Sequence, residues 1–375
     1  MIKCPRKYYV TISGGLGNQM LSYSLWYFLR KKEINVELSP IPEGMLDHNG
    51  LEINRVFKNT ELIGDEKNKI RLCRNIYISI NRYVNGVMKA LKLPWNFDIS
   101  QKSIISLIVF PHYKSYTFFP VIKNELHSIF EFPVDNDVRN INLIKEMKKC
   151  QSVSVHIRRG DYQSKIVWRI LLGDICEKQY YNDAITYIKQ KFSNPQFYIF
   201  SDDIDWVKQN ISLDNATYVN WNKGENSFRD MQLMSHCKAN IIANSTFSLM
   251  AAWLNVHDDC IRIAPLKWNN TNQNLCNKYV PSDWVKINNS QPFVSIVIDE
   301  KVVNPQRIID SIHMQTISDY EIILPEKHFK IANGDYRIKI NTTPIGHHVV
   351  KIIDDKMWKR HDRFCLQKIV IDALR

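Results

Sequence analysis

The sequence predicts an α/β protein built on parallel sheets, and three observations carry that prediction. A short β-branched run near the N-terminus, "YYVTIS" (8–13), passes through the glycine turn "GGLGNQM" into an apolar-striped helix. Beyond residue 150, extended runs alternate with amphipathic ones, the order that right-handed crossover units produce. The composition, 45% hydrophobic and 23% charged over 375 residues, is that of an ordinary globular chain with room for more than one domain.

Each element follows from its pattern. Residues 19–32, "QMLSYSLWYFLRKK", place Leu21, Leu25, Phe28 and Leu29 on one helical face and end in basic residues. "SVSVHI" (152–157) alternates with the period of a strand, and "EKQYYNDAITYIKQKF" (177–192) reads as a helix. "FYIFSDD" is a strand with an acidic end, "IDWVKQNI" a helix, "ATYVNW" a strand and "SFRDMQLMSHC" a helix. "ANIIANS", "TFSLMAAWLNV" and "IRIAPL" continue the alternation as strand, helix and strand. The basic stretch 66–92 puts apolar residues at three-to-four spacing, which fits a helix packed on a core and also an amphipathic helix on an anionic bilayer. After "DWVKI" (283–287) the polar seam "NNSQP" marks a boundary near 290, and "FVSIVIDEK" starts a new strand. The expected division is 1–140, 141–290 and 291–375.

A net charge of +12 points to an anionic partner. The chain lacks zinc-finger spacing and any recognition-helix or RRM signature, so nucleic acid is not the expected one. The eight cysteines are widely spaced without a C-x-x-C pair, which argues against a disulfide framework and a zinc site and fits a reducing cytoplasm. The sequence shows no apolar signal core and no run of 18 apolar residues, so neither export nor a membrane span is expected.

Chemistry concentrates where strands end, because open α/β sheets bind ligands beyond the carboxyl ends of their strands. Gly15, Gly17 and Gln19 lie in a strand-to-helix turn that either presents N–H groups to an anion or permits tight packing. "HIRRGDY" puts Arg158 and Arg159 at a strand end, one able to enter a cleft while the other turns away. A guanidinium fork suits a diphosphate; the alternative is an Arg159–Asp161 surface pair. Asp202 and Asp203 could bind a metal, a ribose or a guanine edge, or cap the helix that follows. Ser245, Thr246 and Ser248 offer hydroxyls at a third turn, suited to phosphate oxygens or to an N-cap. Together these describe a nucleotide-diphosphate site.

Taken in order, "GGLGNQM", "HNGLEINRVF", "HIRRGDY", "LLGDICEKQYYNDAI", "FYIFSDD", "DMQLMSHCKANIIANSTFSLMAAWL" and "DWVKI" resemble glycosyltransferase family 11, the inverting α1,2-fucosyltransferases. The resemblance runs from about residue 8 to 287. It implies a GT-B-like fold of two Rossmann-type halves facing a cleft, no metal and no cofactor, GDP-fucose as donor and a galactoside-type 2-hydroxyl as acceptor. It places Arg158 on the β-phosphate, His156 beside the nucleotide, one of Asp202 and Asp203 on guanine, and Ser245, Thr246 and Ser248 on the diphosphate. Arg159, Gly15, Gly17 and Gln19 join the donor-binding set, and Asn18 faces the fucose and acceptor. Asp161 is a candidate base, though a dissociative reaction without a strong base fits as well. Leu249 and Met250 stand where the family commonly has two aromatics. Two other readings remain open, an inactive sugar-nucleotide or glycan-binding protein and a transferase for another nucleotide sugar.

The tail "PFVSIVI…PQRIIDSIHMQTISDYEIIL" (292–324) is similar to the opening βαβ of a family 2 glycosyltransferase of GT-A type, but "LPEKHF" stands where that family has its aspartates. It reads as a degenerate, truncated α/β remnant without its own catalysis. Glycan synthesis at a surface, with a lipid-linked acceptor, would rationalise the basic charge and a place at the inner face of the membrane.

Overall fold

The structure, a computed structural model, describes residues 8–40, 49–61, 108–109, 116–270, 280–287, 294–313, 320–325, 338–340, 342–344, 346 and 348–353. The basic stretch 66–92 lies outside the described residues. In chain order the elements are β1 (Tyr8–Ile12), α1 (Leu16–Lys31), β2 (Val36–Pro40), α2 (Ile53–Val56), β3 (Ile108–Val109), α3 (Lys123–Ile129) and α4 (Val138–Lys149). There follow β4 (Gln151–Ile157), α5 (Gly160–Ser164), α6 (Ile166–Leu172), α7 (Lys178–Lys191), β5 (Pro195–Ser201), α8 (Ile204–Asn210) and β6 (Ala216–Val219). Then come α9 (Phe228–Ser235), β7 (Ala239–Ile241), α10 (Thr246–Trp253), β8 (Ile261–Pro265) and β9 (Val285–Ile287). The tail holds β10 (Val294–Ile298), α11 (Pro305–His313), β11 (Tyr320–Leu324), β12 (Ile338–Ile340) and β13 (His348–Ile352).

The chain divides into two compact units. One comprises Met1–Ile144, Asn222–His236 and Thr246–Val256; the other comprises Lys145–Trp221, Cys237–Ser245 and His257–Arg375.

In the first unit β1 pairs in parallel with β2 and with β3. The strand leads into a turn whose Gly14 sits at φ +72°, the left-handed region that favours glycine. Helix α1 then packs on α10 at very close range. A Cβ on Gly17 would come within 2.5 Å of the Thr246 carbonyl carbon and 2.6 Å of the Phe247 nitrogen. Backbone against backbone is what this glycine allows. Leu249 and Met250 are fully buried on α10.

The second unit holds a six-stranded, wholly parallel sheet in the order β6-β5-β4-β7-β8-β9. Numbered within the sheet, that is 3-2-1-4-5-6, the doubly wound arrangement, with its order reversing between β4 and β7. This is the α/β, Rossmann-type architecture the sequence predicts. The alternation of "VSVHI" puts Ser154 and His156 on one side of β4, and every residue from Ser152 to Ile157 is buried. Crossover helices cover both faces of a parallel sheet, so the polar positions of β4 find partners inside. Asn240 on β7, for instance, donates its side-chain amide to Ser154 Oγ at 2.7 Å. The core gathers Val153, Val155 and Ile157 of β4, Phe197 and Ile199 of β5 and the α7 stripe Tyr180, Tyr181, Ala184, Ile185 and Ile188.

The tail belongs to the same unit and forms a four-stranded parallel sheet, β12-β11-β10-β13, with α11 joining β10 to β11. The strand–helix–strand opening expected within 292–324 is therefore present, from Val294 to Leu324.

Candidate active site

At the reversal point of the six-stranded sheet, β4 leads into Arg158 and β7 leads to Asn244 and Ser245. Arg158 is held between two carboxylates. Its Nη2 donates to Asp161 Oδ1 at 2.7 Å and its Nη1 lies 2.8 Å from Asp202 Oδ2. The pair to Asp161 arises locally, because α5 starts at Gly160 and brings position 161 back toward 158. About a quarter of the Arg158 side chain stays exposed, so the fork is oriented yet reachable. Ion pairs this exposed contribute little stability, roughly 0–1 kcal/mol each; what they supply is geometry.

Asp202 does more than pair with Arg158. Its Oδ1 accepts the backbone N–H of Arg159 at 2.8 Å. Gly160 closes the arrangement, since a Cβ there would stand 2.6 Å from Asp202 Oδ2. Asp203 is the N-cap of α8, accepting the Trp206 N–H at 3.1 Å. The capping role that the sequence allows for this pair thus falls to Asp203.

Arg159 turns the other way. Its Nε lies 3.3 Å from Asp203 Oδ2, its Nη1 3.4 Å from Glu177 Oε1, and its guanidinium stacks 4.0 Å from the Trp206 ring centre. Where the sequence allows an Arg159–Asp161 pair, Asp161 pairs with Arg158 instead. Adjacent residues leaving a strand diverge, and the start of α5 puts Asp161 under the first arginine. Burial raises the Glu177 carboxyl above its usual range, with nearby Asp174 adding to the rise and Arg159 opposing it.

His156, two positions before Arg158, is buried, and its carbonyl accepts the Tyr181 hydroxyl at 3.2 Å. Burial, helped by the Arg158 charge, lowers its pKa to about 3. The imidazole is neutral at physiological pH. Ser245 is also buried, and the Asn244 carbonyl before it accepts the Tyr162 hydroxyl at 3.4 Å.

The remaining predicted residues lie in the first unit. Gly15 caps α1, its carbonyl accepting the N–H groups of Asn18 and Gln19 at 2.9 and 3.1 Å. Asn18 is half-buried in the first turn of the helix. Gln19 is fully buried and its side chain makes four hydrogen bonds. Its Nε2 donates to the carbonyls of Gly14 and Gly50 at 2.8 and 2.7 Å, and its Oε1 accepts from the N–H groups of Glu52 and Ile53. That uses its whole hydrogen-bonding capacity, so Gln19 ties the glycine turn to the "HNGLEI" loop. Thr246 opens α10 half-buried, and Ser248, two residues on, is fully buried. The division between the units passes between Ser245 and Thr246.

Sequence reasoning missed Glu177, Tyr162, Trp206 and Asn244. Only Asn244 carried a signal, its place beside Ser245 at a strand end. Among the described residues, no group of three or more His, Cys, Asp or Glu side chains is placed to hold a metal. No helix among them is long and apolar enough to cross a membrane.

The sequence profile of glycosyl transferase family 11 matches residues 2–288. An Alpha-1,2-colitosyltransferase of Escherichia coli is 30% identical over 286 residues, 74% of this chain and 97% of that protein. The O-antigen biosynthesis glycosyltransferase WbnK, also of Escherichia coli, is 29% identical over 289 residues, 69% of this chain and 94% of its own. A Galactoside alpha-(1,2)-fucosyltransferase 2 of Hylobates lar is 27% identical over 264 residues, 64% and 67% of the two chains. These relatives all transfer sugars, and the profile spans more than half the sequence, so the chain belongs to glycosyltransferase family 11 and is a transferase acting on glycans.

Proposed function

We propose that this transferase moves L-fucose from GDP-fucose to the 2-hydroxyl of a galactoside-type acceptor, with inversion and without a metal. The observation that carries the reading is Arg158, oriented by Asp161 and Asp202 at the reversal point of the doubly wound sheet. The names of the fucosyltransferase relatives support the sugar and the α1,2 linkage. On this reading 1–140 forms the acceptor-side half and 141–290 the donor half. The acceptor is a lipid-linked glycan met at the inner face of a membrane.

In the reaction the bond from sugar C1 to the β-phosphate oxygen breaks as the acceptor oxygen bonds to C1 from the opposite face. The electron pair leaves with GDP, and the hydroxyl proton passes to a base or to water. Negative charge therefore grows on the diphosphate, where the Arg158 fork and the N–H groups of the Ser245–Thr246 turn stabilise it. Asn18 orients the sugar and acceptor. On this reading Arg159 and Asp203, which pair with each other, shape the wall beside the donor. Asp161 begins the cycle with its Oδ1 engaged by the Arg158 guanidinium, so it is not aimed at an acceptor hydroxyl. A dissociative transfer with late proton loss fits that pairing better.

A second reading has a specific observation behind it: a colitosyltransferase is among the relatives. Colitose in place of fucose would leave the diphosphate chemistry unchanged. The test incubates the protein with GDP-fucose and a β-galactoside in the presence of EDTA, then with other nucleotide deoxysugars. Fucosylated product is expected. Transfer from a different nucleotide sugar alone would shift the donor assignment, and binding of GDP-fucose without turnover would favour a binding protein. Arg158→Ala should lower turnover by roughly 10²–10³ with the fold retained. Unchanged turnover in that variant would remove Arg158 from the mechanism.

A further inference from the structure

The family profile ends at residue 288, and the tail's own sheet begins at Val294. The tail core is not closed by tail residues alone. Around Val294, Ile296 and Ile298 of β10, Ile308, Ile309 and Ile312 of α11 and Tyr320, Ile322 and Leu324 of β11, it includes Ile170, with Ile166 packed against it. Both belong to α6, the helix directly after the Arg158–Tyr162 turn and α5. Ile170 is 1% exposed, whereas Val167 on the same helix is 58% exposed. Among these positions of α6, those facing the tail are the ones that are covered.

The far end of α6 is pinned on the donor side. Asn270 donates its side-chain amide to the carbonyls of Ile170 and Gly173 at 3.1 and 3.0 Å, and its backbone N–H to Leu171 at 2.9 Å. Asn244 donates its side-chain amide to the Leu172 carbonyl at 3.0 Å and to Trp268 at 3.2 Å. Its own carbonyl accepts the Tyr162 hydroxyl. Gly173 lies so close to the turn that a Cβ there would stand 2.8 Å from the Tyr162 carbonyl oxygen. One short helix therefore links the tail core to Tyr162 on one side and to Asn244–Ser245 on the other.

We propose that the C-terminal α/β module is a brace for the donor site. By covering Ile166 and Ile170 it fixes α6, and α6 in turn fixes the Arg158–Tyr162 turn and the Asn244–Ser245 turn. Seven residues of helix are too few to hold a position by propensity alone, so α6 takes its place from what packs on it. The module thus has a positioning task that does not depend on any catalysis of its own. The kinetic consequence rests on the donor role proposed above; the structural coupling does not.

The test uses the full chain with Ile308→Ala, a cavity in α11, and Ile296→Asp, a charge in the centre of the tail sheet. Hydrogen exchange is followed in 158–173, in 239–248 and, as a control, in β5 (195–201), alongside GDP binding. Expected is exchange faster by about tenfold or more in both 158–173 and 239–248, with β5 unchanged. GDP affinity should fall in parallel, and Ile170→Val should stay close to the parent. Faster exchange confined to 294–313, or no change near α6 even with Ile296→Asp, would overturn the brace. Failure of the parent protein to bind GDP would overturn the donor reading while the exchange result still judges the brace.

Discussion

Burial and the charge of Arg158 act on His156 in one direction, and both favour the neutral ring. With its pKa lowered to about 3, His156 has no charge to gain between pH 5 and 8. Its ring resonances should stay flat across that range by NMR, and no limb of the pH–rate profile should vanish in His156→Gln. Because the folded pKa lies below the usual 6.5, the neutral ring contributes stability above about pH 6.5 that is lost as pH falls toward 3. Gly17 and Gln19 are governed by space and by hydrogen bonds. Gly17→Ala forces a Cβ into the Thr246–Phe247 backbone, which cannot yield as a side chain would. The expected loss is about 1–3 kcal/mol, read as a lower melting temperature. Gln19→Leu leaves the Gly14 and Gly50 carbonyls without its amide donors, at about 1–3 kcal/mol for each group left unsatisfied, and should lower stability more than Gly17→Ala.

At the scale of elements, α9 carries a carboxylate that differs from its neighbours. Burial raises the Asp230 pKa to about 7, opposed by the hydrogen bond from Asn222 Nδ2 at 2.8 Å. Asn222 in turn exchanges amide hydrogen bonds with Asn140 of α4. A carboxyl whose pKa is raised on folding contributes stability that is complete below about pH 3.8 and is lost as pH rises through about 7. The melting temperature should therefore fall between pH 5 and 8, and Asp230→Asn, which keeps an oxygen for Asn222, should flatten that decline. Elements with strong patterning were legible: α7 was expected over 177–192 and is Lys178–Lys191, and β4 and α8 lie where the alternation and the acidic cap put them. Helices α5 and α6 were not. They total twelve residues, too short for a periodic stripe, and their anchors are Asp161, Asn244 and Asn270 rather than propensity. The partner of Arg158 was hidden for the same reason, since it depends on where α5 begins.

For the whole molecule, strand order mattered more than any single motif. Proposing a ligand role for Arg158 needs only a strand end, but the reversal between β4 and β7 depends on which strands pair, which one sequence does not encode locally. The tail shows the same gap. Its βαβ opening was legible as a degenerate module, whereas its use of Ile170 to complete a core joins positions far apart in sequence. The net charge of +12 also acts at this scale. Vesicles rich in phosphatidylglycerol should bind the protein at low salt and release it at high salt, with neutral vesicles binding little. Equal binding to both vesicle types would remove the electrostatic argument for a membrane-associated acceptor.

The ion pairs around the paired arginines have a consequence for turnover. Two guanidiniums there meet four carboxylates, those of Asp161, Asp202, Asp203 and Glu177. On the proposed reading, a diphosphate reaching Arg158 meets no bare cation; it competes with resident counter-anions. Those counter-anions keep the fork aimed between visits, and they also recapture it as GDP departs. Neutralising Asp161 as Asp161→Asn should then tighten GDP and slow its escape, turning a better binder into a slower enzyme.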